Sequence, residues 1–494
     1  MLLNWKIRAI EHKLKMNTKE FVEKIKNGEI NIVEHTEKVI EECKKINKEY
    51  HYFNIISEGL ALNQAKELHK KIKANDKDIK NKKILGVAIS VKDAICVKGV
   101  ESTAGSKILK GYKPLFDATV IKRVKDAGGI IIGKTAQDEF GFGSFSVNVG
   151  LGFNVPKNPF DRTRSCGGSS GGAGGITKKA SFPHIALGES TGGSIACPAS
   201  FCGVFGLCPT YGRVSRYGLM DYANSLDKIG PLGKSAYDAA LLLETISGFD
   251  ENESTTLNNT TENYTKFAYN NKNNKKNMRI GIIKESFKDI DKNVEKNVRA
   301  GVKKLEEHGA KAEEISLKLP IEHGISTYYI IATSEASTNL AKYCGMRYGI
   351  AEKLEGNFNE YFTKVRSGNF GAEAKRRIIL GTFARMSGYR DAYYIKATKV
   401  RAMIVNEYKK LFKKYDALAS PTMPIVAPKF SEIEKLTPVQ NYMMDVMTVS
   451  PNLAGLPHLN VPAGESNGLP VGMMLTANHL QESKLIQLGS VFDN

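Results

Sequence analysis

Residues 165–175 read SCGGSSGGAGG, and residues 188–198 read GESTGGSIACP. Three chemistries use such glycine-serine mixtures. A phosphate cradle needs backbone N–H groups converging on an anion. Neither stretch, however, ends in Gly-Lys-Ser/Thr or follows the G-x-G-x-x-G pattern between a strand and a long helix. A flexible linker would be flanked by polar sequence, whereas FPHIALGESTGGSIACPASFCGVFGL surrounds the second stretch with residues of the buried type. Nucleophilic attack on a carbonyl fits better: serine supplies the hydroxyl, and glycine lets the backbone approach the substrate and offer N–H groups to an oxyanion. In TGGS the nucleophile is Ser194, with the amides of Thr191, Gly192, Gly193 and Ser194 as oxyanion donors.

Such a site needs a base. His184 lies between the two stretches, but in FPHIAL it reads as a core or turn residue, and no G-x-S-x-G elbow is present. Lysine can replace histidine where burial disfavours its ammonium form. Upstream, ILGVAISVKD (84–93) alternates Val87, Ile89 and Val91 with Gly86, Ala88 and Ser90, the period of a buried strand, and Lys92 stands at its end. Lys92 is therefore the candidate base.

The surroundings alternate helix and strand, which predicts an α/β sheet. A capped amphipathic helix is expected from Asn17 to Gly28 and a second from about 32 to 46, within an N-terminal helical segment over 17–80. TVIKRVKDAGGIIIGKT reads as helix, Gly-Gly break and strand, and the same order recurs at 291–317. Residues 372–413 read as helical. The ending SPNLAGLPHLNVPAGESNGLPVGMMLTA reads as strands returning to the sheet, and 250–277, rich in Asn, Thr and Lys, as a surface excursion. One domain over 1–494 is expected.

Composition agrees with a globular chain: 41% of the 494 residues are hydrophobic and 25% charged. The seven cysteines are odd in number and match no zinc spacing, so a reducing, cytoplasmic setting without metal is expected. No run approaches the 18 or so apolar residues of a membrane span. A surplus of 71 Lys and Arg over 52 Asp and Glu would suit contact with nucleic acid. Lysine scattered among asparagines leaves that surplus equally readable as compositional drift.

SVKD, CGGSSGGAGG and TGGSIACPASFCGVFGLCPTYGRVSRYG, in this order, resemble the amidase signature family. The resemblance implies an amidase-signature fold, a central mixed β-sheet covered by helices on both faces, and a Ser-Ser-Lys triad. Lys92, Ser169 and Ser194 carry that triad, with Ser169 in a cis peptide relaying the proton. Three positions depart from the family pattern: Ser190 stands where an aspartate is usual, Ala196 where an arginine is, and Cys166 where a proline often precedes Gly-Gly.

The longer strings YYIIATSEASTNLAKYCGMRYG, EAKRRIILGTFARMSGYRDAYYIKATKVR and SPNLAGLP resemble the A subunits of tRNA-dependent amidotransferases. That resemblance implies a glutaminase supplying ammonia for amidation of Asp-tRNA(Asn) or Glu-tRNA(Gln). Arg377 and Asp445 would then clamp the glutamine carboxylate and ammonium, and Tyr328 would line the pocket. It also implies a kinase-transamidase B subunit using ATP and Mg²⁺, a small C subunit, and no cofactor in this chain. A stand-alone amidase of a small or fatty amide, or a non-catalytic RNA-binding scaffold, are the alternative readings.

Overall fold

The computed structural model describes residues 16–269 and 276–493. Eleven strands form one mixed sheet. In chain order they are β1 Phe53–Ile56, β2 Ala88–Lys92, β3 Ile130–Thr135, β4 His184–Ser190, β5 Phe205–Cys208, β6 Lys228–Gly233, β7 Arg279–Ile283, β8 Lys311–Ile315, β9 Ala417–Pro421, β10 His458–Ser466 and β11 Leu469–Ala477. Across the sheet the order is β1-β3-β2-β4-β6-β5-β10-β11-β9-β7-β8. β2 lies parallel to both β3 and β4, and β7 parallel to β8 and β9, while the remaining pairs are antiparallel. Among the described residues, no helix is long and apolar enough to cross a membrane.

The expected helices at the N-terminus are present. Asn17 caps Thr18–Lys26 through its side chain and the Glu20 amide, 2.9 Å away. The second helix runs past the expected 46 to Tyr50, where His51 ends it in the left-handed region at φ 61°. The 17–80 segment is not wholly helical, because Phe53–Ile56 crosses to pair with β3 as an edge strand. The strand expected from residue 84 begins only at Ala88. Gly86, at φ 76°, turns the chain there, and its amide bonds the Gly128 carbonyl. From that point every residue of β2 is buried, as its place between two parallel neighbours requires.

The 291–317 reading holds as a helix over Lys292–Glu307 followed by β8. Of the C-terminal strings, SPNL lies in a helix, Val449–Leu453, rather than a strand, and the part from His458 forms the β10–β11 hairpin, turned by Asn467 and Gly468 with φ 52° and 74°. Residues 372–413 resolve into helices Ala372–Arg385 and Lys396–Leu411 with a π-helical turn between them. The 250–277 excursion is pinned where it is described: Tyr264 is buried, and its hydroxyl accepts a bond of 2.7 Å from Arg213 Nε. Residues 270–275 of that stretch lie outside the described residues.

Candidate active site

Lys92 ends β2, and Glu189 and Ser190 end β4. Since these neighbouring strands run parallel, their carboxyl ends open at the same edge of the sheet, where α/β proteins build their sites. The glycine-serine stretch 165–175 comes to that edge. Gly167 takes φ 76°, the Gly168–Ser169 peptide is cis, and residues Gly171–Lys179 then form a helix. Four glycines in a helix would cost stability in isolation. Here they permit contact that larger residues would block: Gly174 lies against Pro198 and Gly175 against the Tyr52 ring. The glycines read from the sequence as shaping a loop thus divide in two: those before Ser169 shape the turn, and those after Ser170 bring a helix close to its neighbours.

Asp138 supports the turn from beneath. Its amide donates to the Ser169 carbonyl at 3.2 Å, and its carboxylate accepts the Ser146 and Asn148 amides at 3.0 and 2.8 Å. Burial pushes the Asp138 carboxyl up to about 7.

Lys92 is fully buried, 0% exposed, and its Nζ has three partners: Ser169 Oγ at 2.6 Å, the Glu189 carbonyl at 2.9 Å and Glu189 Oε2 at 2.8 Å. The structure therefore joins Lys92 to Ser169 as expected. It adds a carboxylate that the sequence reading left unassigned, so the uncharged amine expected from burial alone meets an ion-pair partner. Adjacent residues of a strand face opposite sides, so an acid at position 189 reaches the lysine while Ser190 turns away. The departure at Ser190 was the available signal, since the acid missing there stands one position earlier.

Ser194 follows β4 on the TGGS loop. Its carbonyl accepts the Ser170 amide at 3.3 Å, but its hydroxyl makes no hydrogen bond among the described residues. Nor, among the described residues, do the amides of Thr191, Gly192, Gly193 and Ser194, so the loop retains its donors. The loop is fixed from outside: Asn452 Nδ2 bonds the Gly192 carbonyl, and the Cys197 amide bonds that of Gly193 at 2.8 Å. His184 is a core residue, its Nε2 2.9 Å from Ser90 Oγ. Cys166 is buried, and its carbonyl faces Cys202 Sγ at 3.4 Å. Ala196 opens the helix Ala196–Cys202.

Tyr328 and Asp445 meet the same loop, and Arg377 joins them through Tyr329. A Cβ added at Gly192 would lie 2.8 Å from the Tyr328 ring, and one at Gly193 would lie 3.2 Å from Asp445 Oδ1. Arg377 is 2% exposed, with its guanidinium among the rings of Phe142, Tyr222, Tyr329 and Tyr442 at 5.1–5.6 Å. Its Nε bonds Glu373 Oε1 at 2.8 Å and its Nη1 the Tyr222 hydroxyl at 2.5 Å, leaving Nη2 without a hydrogen bond among the described residues. Asp445 Oδ2 accepts from Ser144 Oγ at 2.7 Å and from the Tyr329 hydroxyl at 3.1 Å, and burial raises its carboxyl above the usual range. Tyr329 thus spans the two charges, its ring stacked on Tyr442 at 4.0 Å. Tyr222, Tyr329 and Tyr442 were not legible as site residues: Tyr329 adjoins Tyr328 and Tyr442 stands three residues before Asp445, but nothing in those strings marks which tyrosine turns toward Arg377.

A lysine, two serines on glycine-built loops and unused backbone donors meet at one sheet edge. The amidase family model matches residues 34–486, and the chain belongs to that family. It is 44% identical over 463 residues to the A subunit of the glutamyl-tRNA(Gln) amidotransferase of Trichodesmium erythraeum, covering 93% of this chain and 94% of that protein. With the protein of the same name from Sulfolobus acidocaldarius it shares 41% identity over 95% of this chain and 96% of that one. The crystal structure of the A subunit of glutamyl-tRNA(Gln) amidotransferase from Thermotoga maritima superposes with a TM-score of 0.72 at 35% identity, covering 92% and 90% of the two chains. A bacterial aryl acylamidase of the amidase signature family, 20% identical over 97% of this chain and 96% of its own, shares the fold with a TM-score of 0.83.

Proposed function

We propose that this chain is the glutaminase subunit of a tRNA-dependent amidotransferase. The observation that carries the reading is the placing of opposite charges on either side of Tyr329, with Asp445 against the TGGS loop. Arg377, with an unused Nη2, suits a carboxylate, and Asp445 suits an ammonium. An α-amino acid held by both would present its side-chain amide to Ser194. A fatty or small neutral amide would leave Arg377 Nη2 and Asp445 Oδ1 unused.

In this reading Ser194 attacks the glutamine amide carbon while its proton passes to Ser169 and from Ser169 to Lys92. The oxyanion rests on the amides of Thr191, Gly192, Gly193 and Ser194. The proton returns to the leaving ammonia, and water then cleaves the glutamyl-enzyme. The relatives' names support a multi-subunit assembly. In it, a B subunit using ATP and Mg²⁺ would consume the ammonia to amidate Glu-tRNA(Gln) or Asp-tRNA(Asn), together with a small C subunit. The test is glutamine hydrolysis by the purified complex. Ser194→Ala and Lys92→Ala are each expected to reduce turnover by at least about a thousandfold with unchanged circular dichroism. Substantial turnover by Ser194→Ala removes the assignment.

A further inference from the structure

The valence of Lys92 leads beyond the three-residue relay. An ammonium at Nζ commits all three N–H bonds to the Ser169 hydroxyl, the Glu189 carbonyl and the Glu189 carboxylate. It then has no lone pair to receive a proton from Ser169. A free amine in the same position donates two N–H groups to the two Glu189 oxygens and turns its lone pair toward Ser169 Oγ. The same geometry serves both forms, which differ by one proton, and the anion in hydrogen-bond contact with Nζ is Glu189.

We propose that Glu189 is a positioning residue that extends the relay by one member, taking a proton from Lys92 as Lys92 takes one from Ser169. The inference rests on the amidase reading of the site. The step balances without a co-reactant. An N–H bond of Lys92 breaks as an O–H bond forms on Glu189 Oε2, and the Ser169 O–H breaks as a new N–H forms. The Ser194 O–H breaks as that of Ser169 is restored, while Ser194 Oγ bonds the carbonyl carbon. When the leaving group needs a proton, the sequence reverses.

The surroundings equip Glu189 for this. It is buried, and its other oxygen, Oε1, accepts from Thr191 Oγ1 at 2.9 Å, which fixes the carboxylate plane. The Thr191 hydroxyl also lies 2.7 Å from Asp227 Oδ1. Asp227 in turn accepts the Tyr222 and Ala223 amides at 2.9–3.1 Å. The other charges around the lysine are engaged elsewhere: Asp138 with the Ser146 and Asn148 amides, Arg377 with Glu373, and Lys134 on the adjoining strand with Asp93 at 3.5 Å.

The experiment uses the full chain and a fluorophosphonate, which reports the nucleophilicity of Ser194 without any need for glutamine. Labelling is read by mass spectrometry as a rate against pH. The wild-type rate is expected to stay level from about pH 6 to about pH 8, because the proton moves within the pair, while Glu189→Gln, whose amide takes no proton from Lys92, labels at least about tenfold more slowly throughout. Glu189→Asp, which keeps the acid, restores part of the lost rate. A Glu189→Gln rate equal to or above wild type overturns the proposal. So does a wild-type rate that climbs about tenfold per pH unit over that range, a result independent of whether the variant folds. A chain that labels at Ser194 with the level profile, in a purified complex that hydrolyses no glutamine, overturns the glutaminase reading and leaves the role of Glu189 standing.

Discussion

Arg377 is one of two adjacent arginines in AEAKRRIILGTFAR, and their fates differ by one helical step. Arg376 remains partly exposed beside Glu373, whereas Arg377 turns inward to the tyrosine cluster. Burial there is tolerated because Glu373 and four ring faces replace the water that the guanidinium gives up. A lysine at this position would keep the charge but lose both the planar fork and the stacking. Arg377→Lys is therefore expected to raise the glutamine KM by about ten- to a hundredfold, a loss of about 1.4–2.8 kcal/mol, with a smaller change in kcat. Steady-state kinetics over a range of glutamine concentrations checks this. An unchanged KM would separate Arg377 from the substrate.

At the scale of elements, β4 shows how protonation bears on the core. Its first residue, His184, bridges β2 through Ser90 and the Gly171–Lys179 helix through Thr177, at 2.9 and 3.4 Å. Burial, with a smaller contribution from Lys234, pushes its imidazole down to about 3. An unfolded histidine titrates near 6.5, so as pH falls below about 6.5 the unfolded chain binds a proton that the folded chain refuses. The stability contributed by neutral His184 is thus present above that pH and drains away toward about 3, by up to about 1.4 kcal/mol per pH unit. Urea denaturation at pH 7 and pH 5 is expected to show a stability drop that is about 2 kcal/mol smaller in His184→Gln than in wild type. Equal drops would mean that the imidazole takes up its proton in the fold as readily as in the unfolded chain. The neighbouring glycine-rich helix marks the limit of local reading at this scale. Its propensity argues for a loop, and only the closeness of Tyr52 and Pro198 makes it a helix.

At the scale of the whole molecule, the sheet is assembled from both ends of the chain. β5 pairs with β10 and, through β6, with β4, so the strand that leads into Ser194 is linked by the sheet to residues beyond 457. Arg213 and Tyr264 fasten the excursion that separates the two portions. Proteolytic nicking between residues 251 and 263 is accordingly expected to leave the two fragments associated. They should co-elute in size-exclusion chromatography and separate only under denaturant. Fragments that part in native buffer would contradict this account of the sheet.

The sequence by itself determined the α/β alternation, the lysine at a strand end, the serines in their glycine frames and the opposite charges far downstream. These are local patterns or ordered strings, readable without knowing which segments meet. Only the tertiary structure decided that Glu189 faces Lys92 and that Tyr222, Tyr329 and Tyr442 enclose Arg377. The reason is geometric. Which face a strand residue presents to a parallel neighbour, and which tyrosines from separate segments surround one guanidinium, depend on strand register and helix packing between segments far apart in the chain, and no local period records them.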